Sequence, residues 1–409
     1  MRSRAIKPKL IRSFEEIDRT IDRSAPVVTL FSGGLDSSYL LLRLRELGFT
    51  QVHALSVDIG GLETVEEQKH IASELGAVFH SVDKQQVFAA EFVAPAIKAH
   101  AVYLGLHPVS STLSRPLIAR TAVDLAHQVE AGCVIHTANR SQNTLRRLNG
   151  ALGMLGFPGR YGSPYDLQPV DRTQKIEDLS AAGITFSSDR TMSGDSNLWC
   201  REYESGSLDD PESHRIPDSI YRWSVTPQDD HLVAEELSLS FEEGIPTAVD
   251  GERMDLVELI GQLNVRVGRF GVGRYTGLEH LDHGEKVLEV REMPAAWLIL
   301  MTARHLESAC LTAETLRVKL DLEQLWVREA LEGRWLGSLK RAAEAFIDSC
   351  AARVTGSVRW RLHLGGAVTT AIIAEHPTYI RDREAWETAS IRAELSHYSP
   401  LLSEGGLIA

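Results

Sequence analysis

PVVTLFSGGLDSSYLLLRLRELG, residues 26–48, is the stretch that decides the fold. PVVTLF reads as a buried strand and YLLLRLRELG as a leucine-rich helix, with Ser32 to Ser38 turning the chain between them. Consecutive backbone N–H groups at a strand-to-helix turn, backed by the positive end of the helix, make an anion site. Gly33 and Gly34 let the backbone approach that anion with no Cβ in the way. The spacing is not that of a Walker A loop, whose G-x-x-x-x-G-K-[ST] pattern and lysine are missing. Asp36 would repel a bare phosphate, which points to a magnesium ion beside it or to a place at the water-facing mouth. The competing reading is a plain helix start capped by a serine or aspartate.

Outward from this turn the pattern repeats. VHALSVDIG (52–60), VFHSVD (78–83) and CVIHTA (133–138) read as strands. Helical patterns fall on ETVEEQKHIASELG (63–76), on a long stretch through Tyr103, and on SRPLIARTAVDLAHQVEAG (114–132). Strands alternating with helices predict an α/β, doubly wound parallel sheet. Ligands of such sheets sit beyond the carboxyl ends of the strands, which singles out residues 31–38, 57–61 and 137–147. After about residue 185 the texture changes to polar turns, then VELIGQLNVRVGRF, a helical block over 294–350, and SVRWRLHLGGAVTTAII, a hairpin turning at Gly365-Gly366. The expected organisation is an N-terminal extension (1–24), a nucleotide-binding domain (25–185), a second α+β domain (186–375) and a short C-terminal arm (376–409).

Composition bounds the function. The chain has 409 residues, 43% of them hydrophobic, and a formal charge of −13, which disfavours a nucleic-acid partner and favours small-molecule substrates. Cys133, Cys200, Cys310 and Cys350 are scattered with no C-x-x-C, so neither a zinc ribbon nor a disulfide framework is indicated, and a reducing cytoplasm fits. No signal-like apolar segment opens the chain and no apolar run is long enough to span a membrane. E-H-L-D-H (279–283) offers an H-x-x-H in a polar loop, read as a turn and not as a metal site. G-V-G-R-Y-T-G (271–277) is wrongly spaced for a dinucleotide fingerprint.

S-G-G-x-D-S resembles the PP-loop signature of the N-type ATP pyrophosphatases. Beyond it, LSRPLIAR (113–120), GDSNLWCREYESGSLDDP (194–211), VELIGQLN (257–264) with FGVGR (270–274), EMPAAW (292–297) and EAFIDSCAARVTGSVR (344–359) resemble the argininosuccinate synthase family. The resemblance implies an ATP-dependent ligase. The ureido oxygen of citrulline takes AMP from Mg-ATP and the amine of aspartate then displaces AMP. It implies ATP contacts at Leu30, Phe31, Ser32, Gly33, Gly34, Leu35, Asp36, Ser37, Ser38, Val57 and His136. Asp36 and Ser37 are implied at the chemistry, with Asp36 beside Mg2+. It further implies a homo-oligomer built through C-terminal arms, although ETASIRAELSHYSPLLSEGGLIA (387–409) suggests a reduced arm.

The substrate side departs from the pattern. Asn143, Arg147, Ser193 and Glu279 carry over to the citrulline side, and Thr112 replaces a serine. A family tyrosine is His107, a family serine is Glu202 and a second tyrosine is Arg291. The family's aspartate loop H-G-x-T-G-K-G-N-D-Q-V-R reads H-T-A-N-R-S-Q-N-T-L-R-R over 136–147, with Asn139 for its threonine and Thr144 for its amine-binding aspartate. Arg115, at the sheet's carboxyl edge, is expected to meet a carboxylate. Exchanges clustered on the substrate pockets beside a kept phosphate loop predict a ligase with altered, amino-acid-like substrates. The alternatives are the ordinary synthase with compensated drift, and an ATP-binding regulator without catalysis. A tRNA-modifying enzyme is disfavoured by charge and by the absence of paired cysteines.

Overall fold

The computed structural model describes residues 9–61, 64–186, 192–224, 233–281 and 284–404. Its first half is a six-stranded, all-parallel sheet in the order Leu10–Ile11, Arg160–Gly162, Cys133–Ile135, Val27–Leu30, Val52–Asp58, Val78–Asp83. From the central strand Val27–Leu30 the chain adds two strands outward on one side, then crosses to Cys133–Ile135 on the other. The strand order therefore reverses between these two neighbours, and the turns 31–38 and 136–147 leave from adjacent carboxyl ends. That is the crevice in which doubly wound sheets bind ligands.

Helices cover both faces of the sheet. Leu35–Glu46, Val65–Glu74 and Arg172–Ala181 bury Leu40, Leu41, Leu44, Ile71 and Leu179 on one face. Ser111–Gln128 and Thr144–Met154 bury Ala119, Ala122, Ala126, Leu148 and Leu152 on the other.

Residues 1–24, expected as an extension, are revised for their described part. Leu10–Ile11 is a strand paired in parallel with Tyr161 and Gly162, and the helix Phe14–Thr20 sends Phe14 and Ile17 into the same core as Tyr39 and Tyr165. Gly162 permits this edge: at φ +143 any Cβ would lie 2.2 Å from the Ile11 carbonyl oxygen. Ile17 is 0% exposed, so Ile17→Ala is expected to cost ~2–4 kcal/mol in urea unfolding, where a detached extension would show no change.

The helical stretch expected through Tyr103 ends at Lys98. It contains a π-turn at Ala89–Val93 and gives way to the hairpin Val102–Tyr103/His107–Pro108. Phe88, Phe92, Val93 and Ile97 of this stretch pack into the core of the second half, so the two halves share structure. That second half holds an antiparallel sheet in the order Arg274–His280, Lys286–Glu292, Arg201–Glu204, Ser193–Ser196. A five-stranded antiparallel sheet includes the hairpin Gly356–His363/Gly366–Ala374. The helices Leu256–Gly268, Pro294–Cys310, Ala313–Leu331 and Ser338–Ala351 pack around these sheets, and a helix at Arg383–Glu404 ends the described chain. No described helix is long and apolar enough to cross a membrane.

Candidate active site

The turn after the central strand is built as an open cradle. The helix starts at Leu35 with Gly34 at its cap position and no side chain capping it, so the plain capped-helix reading fails and the first-turn N–H groups are left facing the crevice. Gly33 sits at φ +73, where a Cβ would lie 3.0 Å from Gln68 Cγ. The Gln68 amide in turn donates to the Ser32 carbonyl at 3.2 Å. Ser37 Oγ donates to the Gly34 carbonyl at 3.0 Å, which holds the loop's curvature, and Ser38 Oγ is buried with no partner among the described residues.

Asp36 points to the mouth and its Oδ1 accepts from Lys175 Nζ at 2.7 Å. Tyr165 OH donates to the Asp36 carbonyl at 2.9 Å. Lys175 and Tyr165 went unnoticed in the sequence because they come from segments far along the chain with no motif around them. No group of three or more His, Cys, Asp or Glu placed to hold a metal ion gathers among the described residues. Of the 279–283 segment, His280 bonds Tyr103 through its ring, while Asp282 and His283 lie outside the described residues.

The remaining residues implied for ATP are placed less openly. Phe31 is buried edge-on against Phe79, and Val57 is half-buried against two apolar clusters. His136 is buried with Nε2 on Asn149 Oδ1 at 3.0 Å, and burial holds its imidazole down to about 4, so the ring is neutral. Leu30 and Leu35 are partly buried.

The substrate side follows from the two-residue period of the antiparallel sheet. Tyr275, Arg291, Glu202 and Asp195 are cross-strand neighbours in one row, and Glu289, Glu204 and Ser193 form the next row of the same face. This face looks onto the helices Ser111–Gln128 and Thr144–Met154, while Leu288 and Val290 of the opposite face join a separate apolar cluster.

Glu202 and Arg291 do meet: Arg291 bonds Glu202 and Glu289, and stands 3.7 Å from Glu279. Arg147 reaches Glu279 at 3.3 Å and Ser111 Oγ at 3.0 Å, and Asn143 Nδ2 donates to the His280 carbonyl at 2.9 Å. Burial pushes the Glu289 carboxyl well up. In Glu279 burial is outweighed by the hydrogen bond from Glu289 and by Arg147 and Arg291, which hold it well below the usual range. Two arginines, Arg147 and Arg291, thus face the three acidic side chains of Glu202, Glu279 and Glu289 in one buried cluster.

His107 is 3% exposed, with its ring 5.0 Å from that of Tyr275. Burial, aided by the charge of Arg291, lowers His107 to about 3 from an ordinary 6.5. The unfolded chain takes up this proton below 6.5 and the folded chain does not, so stability falls as pH drops through that window. His107→Asn is expected to remove about 2 kcal/mol of the loss between pH 6.5 and about 5, read from urea midpoints at the two pH values.

Besides the contacts of Asn143 and Arg147, two further links tie the loop 136–147 to the sheet. Gln142 Nε2 donates to Glu204 at 3.0 Å; Glu204, also missed in the sequence, is raised by burial and by neighbouring carboxylates. Arg115, expected to meet a carboxylate, bonds that of Asp195 and also the Thr144 hydroxyl. Asn139 accepts from Ser141 N and Oγ in its own turn, Thr112 is buried in the helix, and Ser193 is exposed at its strand's start. Cys133 and Cys200 are buried free thiols pushed up by burial, hence inert. Beside Asn143 and Glu279 lies a cavity of about 480 Å³ that also meets Tyr103, Arg146, His280 and Arg328.

Comparison with known proteins bears on the whole of this arrangement. Residues 26–153 match the arginosuccinate synthase N-terminal HUP domain and residues 192–394 the arginosuccinate synthase C-terminal domain. The chain is similar to the argininosuccinate synthase of Rubrobacter xylanophilus, 35% identical over 367 residues that cover 89% of each protein. It is also similar to that of Methanopyrus kandleri, 34% identical over 391 residues, 93% of this chain and 95% of that one. The Pyrococcus furiosus enzyme is 33% identical over 359 residues, 86% of each.

Proposed function

The chain belongs to the argininosuccinate synthase family of ATP-dependent carbon–nitrogen ligases, and on that premise we propose that it forms AMP and pyrophosphate while joining substrates other than plain citrulline, plain aspartate, or both. The row Tyr275–Arg291–Glu202–Asp195 carries this reading. Where the resemblance implies a tyrosine and a serine, the pocket buries a guanidinium against a carboxylate. A buried ion pair costs desolvation that an apolar or hydroxyl pair avoids, and a neutral ureido group calls for neither charge. On the nucleophile side Thr144 stands where the family's amine-binding carboxylate would be, and its hydroxyl is engaged by Arg115. Losing such a carboxylate removes a charge-assisted hydrogen bond of ~1.5–3 kcal/mol to an ammonium group.

In the first step a carbonyl or ureido oxygen attacks the α-phosphorus of Mg-ATP. The bond to the bridging oxygen breaks and pyrophosphate leaves with the electron pair. In the second, an amine attacks the adenylylated carbon, the C–O bond breaks with its pair on AMP, and the amine's proton passes to solvent. Residues 32–38 hold the pyrophosphate, so fixed geometry and charge supply the acceleration. Mg2+ would enter with the nucleotide and offset its phosphate charge, and Asp36, held by Lys175, is the side chain that would hold it. The substrates are small and amino-acid-like, and the enzyme works in the cytoplasm as a homo-oligomer.

The ordinary citrulline and aspartate reaction is the alternative, favoured by the contact of Arg147 with Glu279 beside Asn143. Expression in an arginine auxotroph lacking its own synthase separates the two. No growth is expected, and robust growth would establish the ordinary synthase.

A further inference from the structure

We propose that Lys175 is a phosphate-binding residue that grips the pyrophosphate end of ATP across the mouth of the loop. The proposal rests on the reading of residues 32–38 as a pyrophosphate site. Lys175 lies on the helix Arg172–Ala181 and reaches a loop 139 residues earlier in sequence. It is 8% exposed, unusual for a lysine, and its Nζ sits 4.8 Å from the Tyr165 ring centroid and 2.7 Å from Asp36 Oδ1. An ammonium has three N–H donors, and among the described residues one is taken.

Charge supplies the reason for placing a cation there. The loop offers first-turn N–H groups, but Asp36 stands among them and would repel an anion. Pyrophosphate leaves with several negative charges, and this loop lacks the lysine that a Walker A sequence carries within itself. Lys175 cancels the Asp36 carboxylate and adds donors from the opposite side. A purely structural tie is already present, since Tyr165 OH bonds the Asp36 carbonyl.

Calorimetric titration of the full-length protein with inorganic pyrophosphate, in a chelator to remove metal, tests this. Lys175→Met is expected to weaken binding about tenfold or more, and Lys175→Arg to retain most of it. Asp36→Asn, which frees the lysine and removes the repelling carboxylate, is expected to bind at least as tightly as the parent. Unchanged binding by Lys175→Met would overturn the proposal, as would weakened binding by Asp36→Asn, because the lysine would then act only by clamping Asp36. The asparagine variant decides the matter where the methionine variant does not fold. A folded parent that binds no pyrophosphate would instead refute the reading of the loop itself, and this proposal with it.

Discussion

Arg291→Met is expected to cost ~3–5 kcal/mol of folding stability and to abolish ligation. The substitution leaves Glu202 buried with no cation and strips the partner that holds Glu279 and Glu289 in place. The double exchange Glu202→Ser with Arg291→Tyr removes both charges together. The exchange takes away one acidic and one basic group at once, and Arg147 still faces Glu279. The double variant is therefore expected within ~1–2 kcal/mol of the parent, with a large favourable coupling between the two sites. It is also expected to gain turnover of citrulline, since it restores the pair that the family resemblance implies. Urea unfolding followed by tryptophan fluorescence reads the stability side. A single Arg291→Met variant as stable as the parent would show that the pair is not the buried centre described above.

Gly33→Val is expected to lower the rate of pyrophosphate release by at least ~10²-fold while leaving the unfolding midpoint within a few degrees. At φ +73 a branched side chain is strained, and its Cβ would press on Gln68, which holds the Ser32 carbonyl. The fault lies in the geometry of a water-exposed cradle and not in the core, so stability and activity separate. Retention of more than a tenth of the parent rate would mean that the phosphates bind elsewhere.

The fold was legible where periodicity was strong. Four of the six parallel strands and the hairpin at Gly365-Gly366 follow from apolar runs bounded by turn residues. The other two strands were not, because Leu10–Ile11 and Arg160–Gly162 are two and three residues long and become strands only by pairing with each other and with Cys133–Ile135. Residues 85–98 read correctly as helical, but nothing in their local pattern says that Phe88 and Phe92 pack against the second half.

The site divides in the same way. The loop at 32–38 is legible because its chemistry is contiguous. The Glu202–Arg291 contact depends on antiparallel register across 89 residues, which residue types suggest only as a pairing of charges. Lys175 and Glu204 reach the crevice only by position, one from a helix and one from a strand, so no motif marks them. His136 was legible as the residue after the strand Cys133–Ile135, but its partner Asn149, on the following helix, was not.

Pyrophosphate release from the purified full-length chain with Mg-ATP tests the central claim most directly. Citrulline with aspartate is compared against a panel of ureido, guanidino and carboxylate acceptors paired with amines. The account predicts at least one pair turned over with a kcat/KM well above that of citrulline with aspartate, and AMP formed in equal amount to pyrophosphate. Citrulline with aspartate as the best pair would contradict it, as would ATP cleaved to ADP and phosphate.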